Sequence, residues 1–384
     1  MNKDFIYLDH AAATPIDSRV IDVMMPYLTD QFFNPSSPYM PAVIVRRDYE
    51  DAKKTLANII GGKPGEIIIT AGATESINLA FKSISGHIVT SNIEHPAVLN
   101  CAKNHDNTII SADEKGFISA DIVKKAITPQ TQLVSIALAN NEIGTIQPIR
   151  SIASVIKQER ESRLVRGNTT PIYFHSDASQ GVGQLDVNVA RLGVDLLSLN
   201  AGKIYGPKQV GLLWAASHVK LEPLIFGGGQ ERNLRSGTEN VAGTIGFAKA
   251  LELAFDHHKF ENERLAKLRD GLQELLTEAF PEAVVSGHAK HRLASHLHIA
   301  FSGIDGERLI FLLENRGVLV ATGSACAANK GSKSHVLSAI GMSDELASGS
   351  IRMTLGHLSS EESIKKAGEI IIEEINKEYI RINR

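Results

Sequence analysis

The chain has 384 residues, 43% of them hydrophobic and 22% charged, with a formal net charge of -3. That length and composition suit a soluble protein with more than one core-bearing domain, and the near-balanced charge argues against nucleic acid as a direct partner. No apolar run approaches membrane-spanning length and the N-terminus lacks a long apolar core, so no membrane association and a cytoplasmic location are expected. The two cysteines, Cys101 and Cys326, cannot form a disulfide framework or a four-cysteine metal cluster; each is read as a free thiol, and no metal site is expected.

The first predicted element is a short strand that runs from Phe5 through Tyr7-Leu8-Asp9-His10 into the small-residue turn Ala11-Ala12-Ala13-Thr14. Residues 19–28 and 43–60 read as helices, separated by the loop Asn34-Pro35-Ser36-Ser37-Pro38 and closed by Gly61-Gly62. The strand Glu66-Ile67-Ile68-Ile69-Thr70 leads through Ala71-Gly72-Ala73-Thr74 into a helix with Ile77, Phe81 and Ile84 on one face. Strand, glycine turn and helix start leave backbone N–H groups facing an anion, although a simple capped helix reads the same way. His87-Ile88-Val89-Thr90 is the next strand. Pro96 suits a first helical turn, which leaves His95 in the loop before it, and Cys101 falls inside the helix as a packing residue.

Strands over residues 132–138 and 171–175 end in Asn140-Asn141-Glu142 and in Ser176-Asp177-Ala178-Ser179-Gln180. Two further apolar runs, at residues 194–197 and 210–214, flank Lys203, which stands between glycines in Asn200-Ala201-Gly202-Lys203-Ile204-Tyr205-Gly206 on a connection at the sheet's edge. An α/β sheet of this kind gathers ligand groups beyond the carboxyl ends of its strands. Asn141, Asp177 and Lys203 then converge on one rim. A lysine amine that can form a Schiff base, with a carboxylate nearby, is what a pyridoxal cofactor requires. A solvated turn lysine and a helix-capping aspartate fit the same segments taken singly.

The glycine-rich stretch 226–238 carries Arg232, Arg235, Ser236 and Thr238, which suit either a surface loop or an anion. Beyond it the texture changes to a long helix over 248–279, a strand at 296–301, a helix with Leu309, Leu312 and Leu313 that stops at Gly317, and a last helix opened by Ser359-Ser360-Glu361-Glu362. Cys326 lies among small and polar residues with Lys330 and Lys333 nearby, surroundings that favour an accessible thiolate. Arg352 stands in an alternating strand, as a salt-bridge partner or as a clamp for a substrate carboxylate.

Together these segments resemble the class V aminotransferase-like group of pyridoxal phosphate enzymes, and within it the cysteine desulfurases of the NifS/IscS type. The resemblance is carried by Gly72-Ala73-Thr74-Glu75-Ser76, Glu94-His95-Pro96-Ala97-Val98-Leu99, Asn140-Asn141-Glu142-Ile143-Gly144, Arg235-Ser236-Gly237-Thr238 and Gly323-Ser324-Ala325-Cys326. It implies the fold type I architecture: a large α/β domain over residues 15–250 with a mainly parallel seven-stranded sheet, and a smaller α+β domain from residues 1–14 and 251–384 that carries the cysteine loop.

It also implies roles. Lys203 holds pyridoxal 5'-phosphate covalently and moves protons. His95 stacks on the ring and assists proton transfer, Asp177 pairs with the ring nitrogen, and Gln180 bonds the phenolic oxygen. Ala73, Thr74 and Asn200 hold the phosphate, with Thr238 reaching it from the second subunit of a homodimer. Asn141 and Arg352 hold the carboxylate of L-cysteine, and Cys326 takes the sulfur as a persulfide, releasing alanine, before passing it to a protein acceptor such as an iron–sulfur scaffold or a thiolation enzyme. Asn200 and Gly202 replace a Ser-x-His pair that usually precedes the lysine, Gln209 replaces a small residue, and His357 replaces an arginine. A selenocysteine lyase or another class V activity, and a scaffold subunit without turnover, are the alternative readings.

Overall fold

Runs such as Ile67-Ile68-Ile69 and Leu196-Leu197-Ser198-Leu199 have no polar alternation, so a strand made from them needs both faces covered. The computed structural model of the chain describes residues 5–322 and 334–382 and supplies both covers. In chain order its strands are β1 (Ile6–Tyr7), β2 (Ile67–Thr70), β3 (His87–Ser91), β4 (Asn107–Ile110), β5 (Thr131–Ser135), β6 (Tyr173–Asp177), β7 (Leu196–Asn200), β8 (Gly211–Ala215), β9 (Val284–Val285), β10 (His296–Ala300), β11 (Val318–Leu319) and β12 (Ser350–Thr354). A seven-stranded sheet has the order β2-β8-β7-β6-β5-β3-β4, with β3 through β7 parallel and β8 antiparallel to both neighbours. The mainly parallel seven-stranded sheet expected from the resemblance is therefore present. Ile67, Ile69, Leu197, Leu199, Leu212 and Trp214 enter the core on one face, and Ile68, Leu196, Leu213 and Ala215 enter the core on the other.

Beyond β5 the pairing with β6 continues through Ile136 N–H to His175 O and Leu138 N–H to Asp177 O. This carries Asn140 and Asn141 up beside Asp177. Because β7 and β8 are interior strands, Lys203 sits at the end of the sheet and not on a lateral edge, which corrects the placement drawn from the sequence.

A second core gathers Leu8, Leu297, Ile299, Ile351, Met353 and the apolar faces of the Gly306–Asn315 and Glu361–Ile382 helices. The helix Val241–Ala279 serves both cores: Phe247, Ala250 and Leu251 pack in the first, and Leu265, Leu272 and Leu276 in the second. The division expected at residues 250–251 falls inside this helix. Pairing of β1 with β11, and of Asp9 with Thr354, anchors the start of the chain in the second core.

The glycine-rich stretch is pinned from below. Glu231, Arg232 and Asn233 have φ values of 46°, 63° and 63°, a left-handed run that costs energy for residues with a Cβ. The buried Glu231 carboxylate holds it in place, accepting from Tyr49 Oη at 2.6 Å, Lys53 Nζ at 3.0 Å and the Ile69 N–H at 2.7 Å. Glu231→Ala leaves the Lys53 ammonium unpaired in the interior. It should lower stability by about 3–5 kcal/mol in urea unfolding, whereas Arg232→Ala, on the exposed side of the loop, should change it by less than about 1 kcal/mol.

Candidate active site

Lys203 closes a short turn that begins at Asn200, whose side-chain Oδ1 accepts the Gly202 N–H at 3.0 Å. Thr14 braces the same turn, donating to Gly202 O and accepting from the Tyr205 N–H. The Lys203 Nζ donates to the carbonyls of Ala11 at 2.7 Å and Ala12 at 2.8 Å, so the amine is oriented by the N-terminal strap. Gln180 Nε2 donates to that same Ala11 carbonyl at 3.1 Å.

A cavity of about 240 Å³ opens beside the amine, and Ala73, Thr74, His95, Asn141, Asp177, Gln180, Asn200, Lys203 and Arg352 all line it. The fold thus brings these residues to one cavity. Thr238 is exposed and does not line the cavity of its own chain, and Cys326 lies outside the described residues. Cys101 is half-buried against the core, where burial pushes its thiol above the usual range.

Two features suit the cavity to an anionic, aromatic ligand. The Ala73–Lys82 helix starts at Gly72 with no side-chain cap, whereas the helices beginning after Asp17, Ser119, Asn188 and Asp305 are capped by those residues. Its first N–H groups are thus available to an anion. Close packing makes this possible: a Cβ on Gly211 would stand 2.6 Å from the Gly72 Cα, so only glycine lets β8 approach the turn. In the same cavity Asp177 Oδ1 accepts from Ser179 N–H at 3.0 Å and Oγ at 2.6 Å, leaving Oδ2 without a partner among the described residues.

His95 is the N-cap of the Pro96–Ala102 helix, its Nδ1 accepting the Ala97 N–H at 3.1 Å, so in the neutral ring the proton is on Nε2. Burial lowers its pKa, with Asp177 opposing the shift. Beneath it Glu94 is fully enclosed, bonded by Ser91 Oγ at 2.6 Å and the Ala137 N–H at 3.0 Å. Burial pushes its carboxyl up to about 8. Arg352, 3% exposed at the side chain, donates to Asn141 O at 3.1 Å and to Asp9 Oδ1 at 2.6 Å.

The profile of the class V aminotransferases matches residues 6–366. The chain belongs to the class V aminotransferase family. Among relatives, the cysteine desulfurase IscS of Dictyoglomus turgidum is 42% identical across 98% of this chain and 95% of that protein. Among solved structures, a NifS-like protein superposes with a TM-score of 0.87 at 32% identity, covering 97% of this chain and 99% of that one. SspA in complex with cysteine gives a TM-score of 0.77 at 34% identity, covering 91% of this chain and 98% of that one.

Class V aminotransferases depend on pyridoxal 5'-phosphate, and the residues present fit it. An uncapped helix start suits the phosphate, an acceptor at Asp177 Oδ2 suits a protonated ring nitrogen, and a lysine amine lines the same cavity. Of the departures from the family pattern, Asn200 lines the cavity and Gly202 belongs to the lysine turn, whereas Gln209 and His357 are not among the lining residues. Gln209 has φ 59°, which explains the small residue usual there, and His357 stacks on Tyr205 with centroids 3.8 Å apart. Sequence reasoning missed Asp9, quoted only as part of an opening strand, and the burial of Glu94.

Glu94 supplies a pH test. Its folded pKa is raised, so the folded chain keeps the proton between about pH 4.5 and 8 while the unfolded chain has lost it, and stability falls as pH rises through that window. Glu94→Gln removes this titration. Between pH 5 and pH 8.5 the wild-type chain should lose at least about 1 kcal/mol more unfolding free energy than the variant; parallel curves would show that Glu94 is ionised in the fold throughout.

Proposed function

We propose that the chain is a pyridoxal phosphate-dependent cysteine desulfurase, converting L-cysteine to L-alanine and transferring the sulfur to Cys326 as a persulfide. The reading is carried by the convergence of Lys203, His95, Asp177 and Arg352 on one cavity in a class V aminotransferase frame. Relatives named cysteine desulfurase support the substrate.

When bound, the cofactor supplies an electron sink that makes the substrate Cα–H acidic. Ala73, Thr74 and Asn200 would hold its phosphate, Asp177 its ring nitrogen, Gln180 its phenolic oxygen, and Lys203 its aldehyde carbon. Arg352 and Asn141 bind and orient the substrate carboxylate, a bidentate match for a guanidinium. The Lys203 amine moves the proton from Cα. His95, neutral because it is buried, serves as the second proton carrier beside the ring. The Cys326 thiolate attacks the substrate sulfur. An S–S bond forms as the C–S bond breaks, and the electron pair left on the substrate carbon takes up a proton to give the methyl group of alanine.

A homodimer accompanies this reading. Ile21, Met25, Leu28, Met40, Val43 and Ile44 are exposed on the first two helices, an apolar surface suited to a second copy whose Thr238 would complete the phosphate site. The persulfide sulfur then passes to a protein acceptor, an iron–sulfur scaffold or a thiolation enzyme, in the cytoplasm.

The purified protein, supplied with pyridoxal phosphate, L-cysteine and a reductant, should release alanine and sulfide in equal amounts; no alanine from a cofactor-loaded protein would refute the activity. Lys203→Ala should lose the visible absorbance of the lysine-linked cofactor and about a thousandfold or more of the rate. Cys326→Ser should keep the absorbance and lose the protein persulfide, as read by mass spectrometry; persulfide-free turnover at the wild-type rate would rule out the role given to Cys326.

A further inference from the structure

We propose that Asp9 is the internal counter-ion of the Arg352 clamp, a positioning residue that neutralises the guanidinium in the open site and so sets how tightly the enzyme holds an amino-acid carboxylate. The inference rests on the reading that Arg352 takes the substrate carboxylate.

Asp9 and Arg352 lie 343 residues apart in sequence, yet Asp9 Oδ1 stands 2.6 Å from an Arg352 terminal nitrogen. With the Arg352 side chain 3% exposed, solvent screens the pair poorly. Asp9 does not depend on the arginine for its place. Its backbone bridges to Thr354, and its carbonyl accepts from Tyr7 Oη at 2.9 Å and from the Ala12 N–H at 3.0 Å. Among the described residues no other carboxylate makes an ion pair with Arg352. Glu142, the other acid that feels the arginine's charge, turns its Oε2 to the Ser334 hydroxyl. The imidazoles in the same layer, His298 paired across the strand from Arg352 and His296 two residues before it, are neutral, with pKa values lowered to about 3 by burial first and the arginine second. Asp9 itself lies in the field of both Arg352 and Lys203, the two cations a substrate would meet, while burial pushes its carboxyl up.

An incoming carboxylate therefore meets an ion pair of no net charge, and the Asp9 carboxylate repels it. Such a term acts alike on substrate, transition state and product, so it belongs in KM and in product inhibition more than in kcat. An asparagine at position 9 keeps an oxygen to accept from Arg352 and removes only the charge.

The test uses the cofactor-loaded enzyme with Asp9→Asn, Asp9→Glu and Arg352→Ala, measuring KM and kcat for L-cysteine and the inhibition constant of L-alanine. Asp9→Asn should lower both KM and the alanine constant by at least about fivefold, with a much smaller change in kcat. Asp9→Glu should restore wild-type values, and the visible absorbance should be the same in all three. Unchanged or raised KM and alanine constants in Asp9→Asn, with Arg352→Ala raising KM by more than about tenfold, would overturn the counter-ion role and leave the clamp standing. If Arg352→Ala left KM unchanged, the clamp reading itself would fall and the role of Asp9 with it.

Discussion

Everything in the site hangs on one short stretch of backbone crossing from one core to the other. Leu8 is buried in the second core, Asp9 grips Arg352, the carbonyls of Ala11 and Ala12 hold the Lys203 amine, and Thr14 braces the turn on which that lysine stands.

Charge in the cavity is arranged by burial as much as by contact. Lys203 and Arg352 supply the positive groups, and Asp177 and Asp9 the negative ones. Burial raises the Glu94 carboxyl and lowers the His175, His296 and His298 imidazoles, in each case favouring the uncharged form. A site in which fixed charges are few and neutral hydrogen-bonding groups fill the background is suited to stabilising charge that moves during a reaction.

Much of this was legible in the chain. Asn141, Asp177 and Lys203 follow strands of one sheet, and the rule that ligand groups gather at strand ends was enough to bring them together. The strand, glycine turn and helix start around Gly72 were legible, but the absence of a side-chain cap there shows only in the structure. What stayed hidden depends on contacts distant in sequence. Asp9 has no local pattern that names a partner, because that partner is in the last strand. The burial of Glu94 follows from how β3 and β5 lie beside each other, which periodicity does not report. His95 reads as a loop residue because a histidine N-cap carries none of the usual capping signal. The strand-edge placement of Lys203 failed because two apolar runs cannot reveal that both lie inside the sheet.

The ion pair between the ninth residue and the three hundred and fifty-second has a consequence for how the chain is made. Local helices and the parallel strands can form as synthesis proceeds, but β1 has to wait for β11 and Asp9 for β12. The strap can settle only once nearly the whole polypeptide has left the ribosome. Contacts of such high order are slow to close. The nascent protein would therefore complete its sheet first and its chemistry last.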